Sequence, residues 1–207
     1  MIKAVLFDID GVLIDSFDAG FIFFQDVLTA LGQPTPTKSR YKGAFHLPLA
    51  QAVRYLAKAE LTEELERLHE IVEKVPYHTE LISEPLHLKE VLQVLQKSYT
   101  LAVVTNRNKD GLEKRYFAFF DTEKYFSASV CIDDVTHPKP HPESLLLAAK
   151  RLRVKPEECV YVGDSHSDVE AGKAAGMKTV LYGGKKHGDA DRHIRSFKSL
   201  PKAIAKL

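Results

Sequence analysis

The stretch "LFDIDGVLIDS", Leu6–Ser16, closes an apolar run with two carboxylates, Asp8 and Asp10, immediately before Gly11. Along an extended chain, residues i and i+2 point to the same side, roughly 6–7 Å apart. Both acids therefore project together from the end of a strand. Brought to about 4 Å at an effective dielectric of 20, two such charges repel by roughly 4 kcal/mol. A cation between them, or a shared proton, has to relieve that repulsion. A lone D-x-D pair is also what an ordinary solvent-capped strand end shows, so its meaning depends on what surrounds it.

Outward from this stretch, short β-branched runs alternate with helical patterns. The runs are "AVLF" (4–7), "TLAVVT" (100–105), "ASVCI" (128–132), "CVYVG" (159–163) and "TVLY" (179–182). They are nearly continuous in apolar residues, as expected of strands covered on both faces. Helical patterns fall between them at 85–98, 109–120, 142–152 and 167–176, with Pro142 and Gly176 placed where helix starts and stops favour them. Such a βαβ series predicts a parallel, doubly wound sheet. The interval 16–83 carries no strand signal. "SFDAGFIFFQDVLTALG", "LPLAQAVRYLAKAE" and "LTEELERLHEIVEKV" each read as an amphipathic helix, the last through Leu61, Leu65, Leu68, Ile71, Val72 and Val75. The expected fold is α/β, a Rossmann-like three-layer core of residues 1–15 and 84–207, with an α-helical cap inserted at 16–83.

The totals narrow the partners. The chain has 207 residues and a formal net charge of +1. No bulk basic field points to nucleic acid or to an anionic membrane, so any anion must be held by a local constellation. Cys131 and Cys159 sit apart in apolar segments and read as small buried residues rather than a disulfide or a zinc site. The opening apolar run is short and stops at an acid, and no stretch is long enough to span a bilayer. A cytoplasmic location is the default expectation.

Three further strand ends carry reactive groups. "AVVTNR" ends in Thr105 and Asn106, and "CVYVGDSHSD" presents Asp164 and Asp168 after a glycine. "HPKPHPE" sets Lys139 between two prolines, whose fixed φ stiffens the loop. Each residue has an ordinary reading: a β-branched strand residue, a turn former, a helix cap, a solvated lysine. Together, a hydroxyl, an ammonium and four acids at one sheet edge suit phosphoryl transfer. The acids would hold Mg²⁺ while Lys139 and Thr105 oppose phosphate charge. "HGDADRH" (187–193) alternates histidines and aspartates but reads as a polar surface loop after the last strand, not a zinc site.

The ordered set D-x-D-G, hydrophobic-hydrophobic-T-N, K-P-x-P and G-D-S-x-x-D resembles the haloacid dehalogenase (HAD) superfamily. The resemblance is strongest to its phosphoglycolate phosphatase and β-phosphoglucomutase branch, and it covers essentially the whole chain. It implies a Mg²⁺-dependent phosphatase with a mobile cap, acting on a small phosphorylated metabolite as a monomer or weak dimer. It implies Asp8 as the nucleophile that becomes an aspartyl-phosphate, and Asp10 as the acid and then the base. It implies Mg²⁺ on Asp8, the Asp10 backbone carbonyl and Asp164, with Asp168 reaching the metal through water or holding Lys139. Thr105 and Lys139 would stabilise the transferring group, and Asn106 would orient the phosphate. "SRYKGAFHLPLA" (39–50) matches the family's substrate-specificity loop, making Arg40, Lys42 and His46 the substrate candidates. The alternatives are a phosphomutase and a non-catalytic protein of the same fold. Val12 after D-x-D-G is shared with mutases, but Gly20 stands where the mutase has a cap histidine, and the mutase's cap arginine is replaced near His46. Those two departures favour hydrolysis.

Overall fold

The apolar runs become strands β1 (Ala4–Phe7), β2 (Thr100–Val104), β3 (Ala128–Val130), β4 (Cys159–Gly163) and β5 (Lys178–Tyr182) in the computed structural model, which describes residues 1–57, 68–183 and 189–207. A further strand, β6 (Arg192–Ile194), joins them, and all pairings in the order β3-β2-β1-β4-β5-β6 are parallel. The chain divides into two compact units, Met1–Asp15 with Glu84–Leu207, and Ser16–Ser83.

In the first unit the sheet is covered on both faces, which is why its strands do not alternate. One face packs Leu6, Val104, Val130 and Tyr161 against the helices Glu143–Leu152 and His166–Ala174 through Leu145, Ala148, Ala149 and Ala171. The helix Leu88–Gln96 buries Leu88, Val91, Leu92 and Leu95 and packs with β2 and the C-terminal helix Leu200–Ile204. Phe7 meets the rings of Phe126 and Phe197 at 6.2 and 6.3 Å. Helices on both sides of a parallel sheet make the three-layer α/β sandwich anticipated from the βαβ rhythm. β1 pairs with β2 on one side and β4 on the other. The chain thus turns outward in both directions from the β1–β4 pair, the switch point where open parallel sheets leave a crevice beyond their carboxyl ends.

Two segments differ from their sequence reading. The 187–193 segment does not end as a loop: Arg192–Ile194 extends the sheet alongside β5. Three residues with one apolar side chain give no periodicity to read. Asp191 anchors the strand by accepting from Lys173 at 2.5 Å, from the Thr179 backbone N–H at 2.9 Å and from the Thr179 hydroxyl at 3.0 Å. His187 lies outside the described residues. The helix expected over 109–120 is α-helical only from Lys109 to Leu112, then widens to π geometry over Glu113–Phe117. The wider turn seats the Tyr116 ring in the core, where its hydroxyl accepts from Thr122 at 2.9 Å.

The second unit, Ser16–Ser83, is helical in its described residues: Phe17–Ala30, Lys38–Lys42, Leu49–Leu56 and Leu68–Lys74. It has its own core around Phe23, Val27, Leu28, Tyr41, Val53, Leu56 and Leu68. The Tyr41 ring packs against Phe17, Phe21, Phe24 and Phe45 at centroid distances of 5.1–6.0 Å. Leu61 and Leu65 of the third predicted helix lie outside the described residues.

Candidate active site

β1 ends at Phe7, and the backbone N–H of Asp8 still donates to the Val162 carbonyl of β4 at 2.9 Å. The Asp8 carboxylate is thereby carried to the switch point. Directly after it the chain makes a tight turn in which the N–H groups of Val12, Leu13 and Ile14 all donate to the Ile9 carbonyl. Gly11 occupies the left-handed region at φ +77, and a Cβ there would stand 1.9 Å from Asp164 Oδ2. Only a glycine lets the turn pass this close to the second acid. We expect Gly11→Ala to lower the melting temperature by several degrees, from about 1–2 kcal/mol of backbone strain. Activity should fall further, because Asp164 must move. An alanine variant with wild-type melting and rate would contradict this geometry.

Asp164 follows β4. The helix His166–Ala174 starts at Ser165, whose hydroxyl accepts from the Asp168 N–H at 3.2 Å while Asp168 Oδ2 accepts from the Ser165 N–H at 3.1 Å. This reciprocal cap fixes Asp168 facing back into the sheet edge. Gly163 makes room for it, since a Cβ there would lie 2.2 Å from the Asp168 Cβ. Carboxylate oxygens of Asp8, Asp164 and Asp168 all come within 4.8 Å of one another.

Lys139 reaches into this cluster from its proline-framed loop and is nearly fully buried. Its ammonium donates to Asp168 Oδ1 at 2.8 Å and to the Tyr161 hydroxyl at 2.7 Å, and stands 3.0 Å from Asp8 Oδ1. The Tyr161 hydroxyl in turn donates to Asp168 Oδ1 at 3.0 Å. The Asn106 side chain clamps the same lysine by its peptide: Nδ2 donates to the Lys139 carbonyl at 3.3 Å, and Oδ1 accepts from the Lys139 N–H at 3.2 Å. Thr105 is buried beside it. Its oxygen accepts from the Arg107 N–H at 3.1 Å, which leaves the hydroxyl hydrogen to be donated elsewhere. Asp10 is gripped by Arg107, Nε to Oδ2 at 2.7 Å and a terminal nitrogen to Oδ1 at 2.6 Å.

These positions set the charge states. Burial, reinforced by the charges of Asp168 and Asp8 and opposed by Lys139, pushes the Asp164 carboxyl up to about 9. Burial likewise raises Asp8, against the pull of Lys139 and with the push of Asp168 and Asp10, to about 7. For Lys139, burial alone would disfavour the ammonium, but Asp168 and Asp8 outweigh it and hold the lysine charged. One cation thus faces three clustered acids, and burial with their mutual repulsion holds back the ionisation of Asp8 and Asp164. An all-oxygen donor set with excess negative charge fits a hard divalent cation such as Mg²⁺.

The three substrate candidates lie in the Ser16–Ser83 unit. The Arg40 guanidinium donates to the Tyr55 carbonyl at 2.6 Å and stacks over the Tyr55 ring. Lys42 is exposed, and the His46 ring packs edge-on to Phe45 at 4.9 Å. Gly20 is buried in this unit, and a Cβ on it would lie 2.1 Å from the Tyr41 hydroxyl. A histidine could enter there only if Tyr41 moved. Two site residues escaped the sequence reading, Arg107 and Tyr161. Arg107 sits one place beyond the T-N pair, and Tyr161 was hidden as a strand residue. A polar-tipped aromatic in a strand buried on both faces was the signal available, because its hydroxyl needs a partner.

A family model for haloacid dehalogenase-like hydrolases matches residues 5–182. A phosphorylated carbohydrates phosphatase of Thermotoga maritima is 36% identical over 185 residues, covering 86% of this chain and 83% of the relative. Pyrophosphatase PpaX of Bacillus velezensis is 36% identical over 188 residues, covering 86% and 82%. A crystal structure of a HAD-superfamily hydrolase, subfamily IA, variant 1, from Geobacter sulfurreducens superposes with a TM-score of 0.75 at 26% identity, covering 98% of this chain and 96% of that one.

Proposed function

The chain belongs to the haloacid dehalogenase-like hydrolase family, and on that premise we propose that it is a Mg²⁺-dependent phosphatase cleaving a small phosphomonoester through an aspartyl-phosphate on Asp8. The observation that carries the reading is the meeting of Asp8, Asp164 and Asp168 within 4.8 Å beside the Lys139 ammonium. In the first half-reaction an Asp8 oxygen attacks phosphorus in line, the P–O ester bond breaks, and the leaving oxygen takes a proton from Asp10. In the second, water attacks phosphorus, gives its proton to Asp10, and the bond from phosphorus to Asp8 breaks to release phosphate. Thr105 donates its hydroxyl hydrogen to a phosphate oxygen, and Lys139 opposes the charge spread over the transferring group. Asn106 keeps the Lys139 peptide in place, and Asp168 holds the ammonium. Mg²⁺, held by Asp8, Asp164 and the Asp10 backbone carbonyl, would neutralise the acid cluster and draw charge from the phosphate.

The helical unit at 16–83 acts as the cap of a core formed by 1–15 and 84–207, with Arg40, Lys42 and His46 as contacts for the leaving group. Hydrolysis is favoured over phosphoryl return to a sugar because Gly20 leaves no room for a histidine beside Tyr41. The relatives' printed activities make sugar phosphates and pyrophosphate the first compounds to try, with phosphoglycolate beside them. Phosphate release from that panel, with Mg²⁺ and with a chelator, tests the proposal. Release from none of them, or release untouched by the chelator, would overturn it.

The metal requirement has a separate signature in stability. Asp8 and Asp164 have folded values raised above the ordinary carboxylate range. Such groups contribute stability that is complete below about pH 4 and is lost as pH rises through about 7 and about 9. A bound cation removes that loss and requires both acids ionised. Saturating Mg²⁺ should therefore raise the melting temperature more at pH 9 than at pH 6. Equal shifts at the two pH values would count against the acids as ligands.

A further inference from the structure

The contact between Arg107 and Asp10 spans 97 positions of sequence and has a two-pronged geometry. Both side chains are largely shielded, 14% and 22% exposed. The arginine has little slack. Its backbone N–H is bonded to Thr105 at the end of β2, and its carbonyl accepts from the Ile132 N–H at 3.0 Å, just beyond β3. Asp10 is equally fixed from its own side by the turn that bridges it to Ile14. Two parallel N–H···O bonds between two anchored groups set the carboxylate's position and the rotation of its plane together.

We propose that Arg107 is the positioning residue for Asp10, holding its carboxylate in the orientation that accepts the proton of the attacking water. The inference rests on the reading of Asp8 as nucleophile and goes beyond it by separating the two half-reactions. With a leaving group that departs without proton donation, only the second half-reaction calls on the Asp10 carboxylate. Loss of Arg107 should then slow breakage of the bond from phosphorus to Asp8 more than its formation.

The test uses the full chain with Mg²⁺ and p-nitrophenyl phosphate, whose leaving group departs without proton donation. Arg107→Met should lower kcat by about 10- to 100-fold, the scale of a misplaced catalytic group. The fraction of acid-quenched protein carrying a phosphoryl adduct, read by intact mass, should rise several-fold above wild type. Arg107→Lys keeps the charge but not the fork and should show most of the same defect. An adduct fraction that is unchanged or lower in Arg107→Met, or full rate in Arg107→Lys, overturns the role given to Arg107. Asp8→Asn separates the two ideas: if it still turns over substrate or carries the adduct, the nucleophile reading itself fails.

Discussion

Asp8→Asn is expected to reduce phosphate release by at least about 10³-fold, roughly 4 kcal/mol of barrier, while leaving the protein as stable as wild type or more so. The amide matches the carboxylate in shape, and its oxygen still accepts from the Ile9 N–H and from Lys139, as Asp8 Oδ1 does at 2.8 and 3.0 Å. It cannot form the covalent bond to phosphorus. Stability follows the opposite sign from activity. The buried Asp8 carboxyl is raised to about 7 by loss of water and by its acidic neighbours, so near neutral pH its ionisation costs the fold something that a neutral amide does not. Activity within tenfold of wild type would remove Asp8 from the nucleophile's place. A large drop in melting temperature would show instead that the carboxylate is needed for the fold.

The second large effect is on stability. Lys139 is the cation on which Asp8 and Asp168 both converge, and its side chain is 3% exposed. Removing one member of a buried ionic group leaves the others uncompensated, at a cost of about 3–5 kcal/mol. For a chain of this length that is a fall of about 10 °C in melting temperature, with phosphate release lost as well. Lys139→Met should behave this way, and Asp168→Asn introduced beside it should recover part of the loss. The two residues are in direct contact, so their effects should not add. Thermal melts of the two single variants and the double variant measure the coupling. Strict additivity would show that Asp168 does not depend on Lys139.

The Lys139 group also marks the border between local and distant information. Its loop was legible because two prolines frame the lysine, and that stiffness is a property of neighbouring residues. That its ammonium would rest on the Tyr161 hydroxyl was not legible. The tyrosine lies in a strand whose only local signal is burial, and the contact spans 22 positions. The same holds for Asp191, read as part of a polar loop, whose carboxylate anchors the edge strand β6 to Thr179. A three-residue strand has no period of its own. It exists because β5 offers an unpaired edge beside it.

The sequence by itself determined the α/β class and the parallel sheet. Doubly covered strands demand apolar runs, and their alternation with amphipathic helices admits few topologies. It also determined that acids, a hydroxyl and a lysine fall at strand ends, since that depends only on where each run stops. The tertiary structure decided which of those groups meet. Asp8 and Asp164 come together because β1 and β4 are neighbours across the switch point, and Asp10 meets Arg107 because β2 lies on the other side of β1. Strand periodicity is written in adjacent residues, whereas the partner of a charge is chosen by distance in space after the sheet has assembled.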